Sequence, residues 1–165
     1  MNESSGGDGN ARIVVGVDGS DGSKQAMRWA ARQAEFTGAT LLAIVTWQYP
    51  TFYGWVPPYP DDMDLAHLAQ QALTEALDEV FGPDRPARLE TSVIEGFAAQ
   101  VLVSASEDAE LLVVGSRGYG GLADALLGSV STYCVHHAHG PVTVIRPAGH
   151  PAQAPTPGTE QNAPA

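Results

Sequence analysis

Strand-like and helix-like patterns of apolar residues alternate five times between residues 11 and 147. Residues 12–17 (RIVVGV) are a short apolar, β-branched run that ends at Asp18-Gly19-Ser20. This is the form of a buried parallel strand leading through a turn into a helix capped by Ser20. Ala26, Trp29, Ala30 and Ala34 then mark one face of a helix over about 21–37, which Gly38 closes. Residues 40–47 (TLLAIVTW) predict a second buried strand. Leu65, Leu68, Ala69, Ala72, Ala76, Leu77 and Val80 form the stripe of an amphipathic helix that stops at Gly82-Pro83. In residues 87–94, Leu89, Thr91 and Val93 alternate with Arg88, Glu90 and Ser92, as in a half-exposed strand at a sheet edge. Ala98, Val101, Leu102 and Ala105 give a third helix face, and residues 110–115 (ELLVVG) a further buried strand. A helix over about 129–138 carries Val130, Tyr133, Cys134 and His137 on one side. The last strand, 142–145, is bracketed by Pro141 and Pro147.

Strands alternating with helices predict a single α/β domain over 11–147, a doubly wound parallel sheet covered on both faces. The Gly/Ser/Asp-rich residues 1–10 and the Pro/Ala-rich residues 148–165 read as disordered tails, and the aromatic-rich residues 48–60 as an irregular excursion. In such sheets ligands bind beyond the carboxyl ends of the strands, where strand order reverses. With the first strand central, that crevice lies between the loops after Val17 and Val114, both rich in glycine.

Composition narrows the ligand. The 165 residues are 44% hydrophobic, as in an ordinary globular protein, and no apolar run approaches the roughly 20 residues that cross a bilayer. A formal charge of −11 and eight basic residues scattered along the chain argue against nucleic acid or an anionic membrane as partner. The first ten residues show no export signal, and the single cysteine, Cys134, has no internal partner, so the expected location is the cytoplasm. An anionic nucleotide remains compatible with this charge, because oriented backbone N–H groups hold phosphate without lysine.

The loop from Gly115 to Gly128-Ser129 supplies such groups. Its glycines let backbone approach a ligand closely, and Gly128-Ser129 opens a helix whose free N–H groups and dipole favour an anion. Ser129 and Ser131 add hydroxyl donors, and Arg117 adds one cation. Glycine-rich turns of this kind also exist for tight packing alone. The loop is neither a P-loop, since it has no lysine, nor the G-x-G-x-x-G dinucleotide turn.

Gly115-x2-Gly118-x9-Gly128-Ser129 resembles the ATP-binding signature of the universal stress protein family. Val15-Gly16-Val17-Asp18-Gly19-Ser20, the run from Leu111 to Gly118 and the run from Leu126 to Val130 are similar to its other motifs. The resemblance implies a five-stranded parallel sheet of order 3-2-1-4-5, Rossmann-like, that binds ATP with Mg²⁺ riding on the phosphates. It implies that Gly16 and Asp18 form the first-strand side of the site, with Asp18 at the ribose or adenine. Backbone at Val45 would read the adenine edge, and Gly115, Gly118, Gly128 and Ser129 would hold the triphosphate, with Arg117, Val130 and Ser131 nearby. It also implies a homodimer through the edge strand 142–145, and a regulator or sensor of the stress response.

Other residues have simpler readings. Asp18 also suits a turn or helix-cap role beside Gly19. His136, His137 and His139 do not converge on a helix as metal ligands would, and interaction with the last carbonyls accounts for them. Cys134 and Trp29 read as core. Tyr49, Phe52, Tyr53, Trp55 and Tyr59 either cover the crevice or pack on themselves. For hydrolysis only Asp124 and Arg117 stand near the loop, so no dedicated catalysis is expected; slow ATP hydrolysis or adenylate transfer is the enzymatic alternative. A purely structural interaction module is the third reading.

Overall fold

The computed structural model describes residues 11–49, 64–119 and 126–147. The two tails, nearly all of the 48–60 aromatic stretch and Asp124 lie outside the described residues. The elements run β1 (Arg12–Gly16), α1 (Asp21–Thr37), β2 (Thr40–Trp47), α2 (Leu65–Phe81), β3 (Leu89–Glu95), α3 (Ala98–Ala105), β4 (Leu111–Gly115), α4 (Ser129–His137) and β5 (Val142–Ile145). Every strand pairing is parallel, and the sheet order is β3-β2-β1-β4-β5, as expected.

The central strands are apolar without interruption because both of their faces are covered. Ile13 and Val15 of β1 join Leu41, Ala43 and Val113 beneath α1 and α2. Val14, between them in sequence, points the other way and joins Ile44, Leu112, Leu102 and Cys134 beneath α3 and α4. Helix α1 sits close to the sheet because its buried face is made of Gly22, Ser23, Ala26, Met27, Ala30, Ala31 and Ala34. Ser20 caps it by accepting a hydrogen bond from the Ser23 N–H, and Gly38 closes it at φ 74°. Among the described residues no helix is long and apolar enough to cross a membrane.

Several details depart from the pattern read along the chain. Trp29 is half-buried at the margin of the core, and Met27 takes the interior place beside Ala26. In β3 the alternation is loose: Thr91 is exposed and Ser92 half-buried. That strand is an edge with only β2 beside it. On α4 the interior positions are Ser131 and Cys134. His137 is exposed, stacked on Tyr133 at 3.9 Å between ring centroids, with its Nδ1 2.9 Å from the Tyr133 carbonyl oxygen. Helix α2 buries only Leu73, Ala76 and Leu77; the front of its stripe lies elsewhere. Finally, four of the eight basic residues gather in space. Arg28 and Arg32, one turn apart on α1, meet Arg85 and Arg88 from the α2–β3 connection along one groove.

Candidate functional site

The loops after β1 and β4 meet at the carboxyl ends of the strands, on either side of the point where strand order reverses. Between them and the front of α2 lies a cleft of about 680 Å³. All ten residues singled out from the sequence line it: Gly16, Asp18, Val45, Gly115, Arg117, Gly118, Gly128, Ser129, Val130 and Ser131. Its far wall, which no sequence motif marked, comes from Leu65, Leu68, Ala69 and Ala72 of α2. Leu68 is 53% exposed, so this end of the apolar stripe faces the cleft and not the core.

The glycines have separable reasons. A Cβ on Gly115 would come within 2.8 Å of the Gly22 backbone, and one on Gly22 within 2.7 Å of the Arg117 carbonyl. These two glycines let the start of α1 rest directly on the end of β4. A Cβ on Gly118 would lie 2.3 Å from Asp18 Oδ2, so this glycine makes room for the carboxylate. At Gly128 an added Cβ would meet nothing among the described residues nearer than 3.5 Å, which is ordinary contact. Its φ of −75° suits any residue as well. Neither packing nor backbone conformation among the described residues requires glycine there.

Asp18 performs the turn role. Its Oδ1 accepts from the Ser20 N–H at 2.9 Å and the Ser20 hydroxyl at 2.5 Å. Its Oδ2 accepts from the Tyr119 N–H at 3.2 Å and so ties the first loop to the glycine loop. The carboxylate is exposed and retains lone pairs for a ligand. Ser131 departs from expectation: its hydroxyl is buried and shared between the carbonyls of Gly128 (3.0 Å) and Ser116 (3.1 Å). That proton is committed to the fold. The same carbonyl of Ser116 accepts from the Gly128 N–H at 2.7 Å, so the far end of the loop is clamped to β4.

Helix α4 begins at Gly128 with no side-chain cap, as α3 does at Phe97, whereas α1 and α2 are capped by Ser20 and Asp64. Its opening N–H groups, which no helix can satisfy internally, face the cleft with the exposed Ser129. Asp18 is the only acidic residue and Arg117 the only basic one among the described cleft-lining residues, and no histidine is present there. Among the described residues no group of three or more His, Cys, Asp or Glu could hold a metal ion.

Residues 9–146 match the model of the universal stress protein family. A universal stress protein of Mycobacterium tuberculosis is 40% identical over 136 residues, which cover 81% of this chain and 47% of the relative. One from Mycolicibacterium smegmatis is 34% identical over 155 residues, 87% of this chain and 51% of the relative. The chain thus spans about half the length of the curated relatives it matches. Among solved structures, a universal stress protein from Lactobacillus plantarum superposes with TM-score 0.66 at 23% identity, covering 83% of this chain and 98% of that one. Another, crystallised in complex with cAMP, superposes with TM-score 0.62 at 25% identity, covering 84% and 98%.

Proposed function

The chain belongs to the universal stress protein family, and from that premise we propose that it binds ATP in the β1–β4 cleft and acts as a nucleotide-responsive regulator in the stress response. The observation that carries the reading is the uncapped start of α4 at a glycine that neither backbone conformation nor packing among the described residues demands. Such a terminus suits a phosphate, which would accept from the N–H groups of Ser129, Val130 and Ser131. The triphosphate would lie along Gly115, Gly118 and Gly128, with Arg117 as the one cation and Mg²⁺ carried on the phosphates. Across the cleft, the apolar front of α2 offers a surface for a planar base, with Val45 behind it. The remaining lone pairs of Asp18 would accept from ribose hydroxyls. The cAMP complex of a 25% identical structure supports an adenine nucleotide in this family.

A regulatory role fits better than a catalytic one. Phosphoryl transfer needs a group that orients water, and the single carboxylate among the described lining residues is held in the turn after β1 by Ser20 and Tyr119 and would serve the ribose. A binder that releases its nucleotide unchanged would signal through altered loop positions. We also propose self-association through the outer edge of β5, and a cytoplasmic location.

Calorimetry with Mg-ATP tests the reading. Saturable binding below millimolar is expected, weakened at least about tenfold by Gly128→Ala, with the melting temperature preserved because the new Cβ has room. Absence of saturable binding below about a millimolar would overturn it.

A further inference from the structure

Arg28, Arg32, Arg85 and Arg88 are half of the chain's eight basic residues, and all four line one groove. The groove encloses about 630 Å³. It lies where Gly38 and Ala39 lead into β2 and Ala87 and Arg88 lead into β3, the opposite end of the sheet from the nucleotide cleft. Ala31, Ala39, Val80, Phe81 and Pro86 supply its apolar surface. The volume is that of a small-molecule site.

The arginines stand on two elements. From the α2–β3 connection, Arg88 donates to the Gly38 carbonyl at 2.6 Å and Arg85 pairs with Asp78. These contacts orient two guanidinium groups without using up their five donors each. On α1, Arg28 and Arg32 are exposed and make no hydrogen bond or ion pair to any described residue. The helix dipole does not explain them, because α1 has no basic residue in its last turn. Two carboxylates, Glu35 and Asp84, also line the groove and a third, Asp78, is paired with Arg85, so four guanidinium groups meet three carboxylates and leave a net positive charge of one. With a formal charge of −11 over the chain, the molecule as a whole repels anions. A local excess of guanidinium over an apolar floor is therefore where an anion can be held.

We propose that this groove is a second ligand site that takes a small organic polyanion, a molecule carrying two or more phosphate or carboxylate groups. The planar forks of Arg28 and Arg32 match such groups in bidentate fashion. The organic body would rest on Val80, Phe81 and Pro86. The site is independent of nucleotide binding in the cleft.

Amide NMR titrations of the full chain with citrate and with pyrophosphate, in about 150 mM salt, test the proposal. At least one probe is expected to shift the amides of Ala31, Gly38, Ala39 and Arg88 saturably, with a dissociation constant on the order of a millimolar or below. Arg28→Ala/Arg32→Ala should weaken that response about tenfold or more, leaving the melting temperature unchanged because both side chains are exposed. Arg28→Lys/Arg32→Lys keeps the charge, loses the fork and should fall between the two. Shifts of Gly115 and Gly128, reporting the other cleft, should be equal in all variants. Shifts that do not saturate, or a response unaffected in the double alanine variant, would overturn the proposal. So would saturation by a hexaglutamate peptide with none by either small probe, which would make the groove a protein-docking surface.

Discussion

Gly118 and Asp18 constrain each other. The carboxylate reaches the Tyr119 N–H only because Gly118 has no Cβ, which would lie 2.3 Å from Oδ2. Gly118→Ala must therefore displace Asp18 and is expected to cost about 1–3 kcal/mol of stability. In an Asp18→Ala background the clash is gone, so the same change should cost well under 1 kcal/mol there, roughly the cost of a surface substitution. A double-mutant cycle by urea unfolding measures the coupling, and additive costs would show that the two positions are independent. Cys134 makes a different residue-scale prediction. Burial pushes its thiol up from 9.0 to about 11. The unfolded chain then ionises first as pH rises above 9, and stability falls through the interval to about 11. The loss, up to about 2–3 kcal/mol at its end, should be missing from Cys134→Ala when both proteins are unfolded at pH 8 to 11.

At the scale of elements, periodicity located the helices and strands within a residue or two, because the 3.6 and 2.0 repeats survive wherever a face is buried. Periodicity could not say what each apolar stripe would meet. The stripe of α2 reads as one face from Leu65 to Val80, yet its first half lines the cleft and its second half the core. The division depends on where β2 and β3 end beneath the helix, which is a long-range fact with no local signal. Similarly, Gly115, Gly118 and Gly128 look alike in sequence. Only the atoms around them distinguish packing glycines from one that nothing among the described residues requires. Leu68 tests the division. Leu68→Ser removes an apolar contact to the base but little core, so ATP affinity should fall about three- to tenfold while the melting temperature moves by no more than about 2 °C. A large drop in melting temperature would place Leu68 in the core instead.

For the whole molecule, the order 3-2-1-4-5 came only from the family resemblance, while the doubly wound parallel sheet was legible in the alternation of strands and helices and the switch point in its glycine-rich loops. The gathering of Arg28 and Arg32 with Arg85 and Arg88 was not, since it joins segments about fifty residues apart across the end of the sheet. The sheet also leaves one question that its own hydrogen bonds sharpen. The Leu112 and Ser116 N–H groups donate to the carbonyls of Pro141 and Ile145, so those positions of β5 face β4. By the period of two, the backbone groups of Val142 and Val144 face outward from the sheet edge. Two copies related by a two-fold axis could pair these edges antiparallel and join the sheets. Val144→Pro deletes one outward N–H while sparing the ladder to β4. It should cost some packing, because Val144 lies against the core. Sedimentation at tens of micromolar, on the order where weak interfaces form, should give a dimer for the native chain and a folded monomer for Val144→Pro. A monomeric native chain, or a variant that still dimerises, would show that β5 is not the interface.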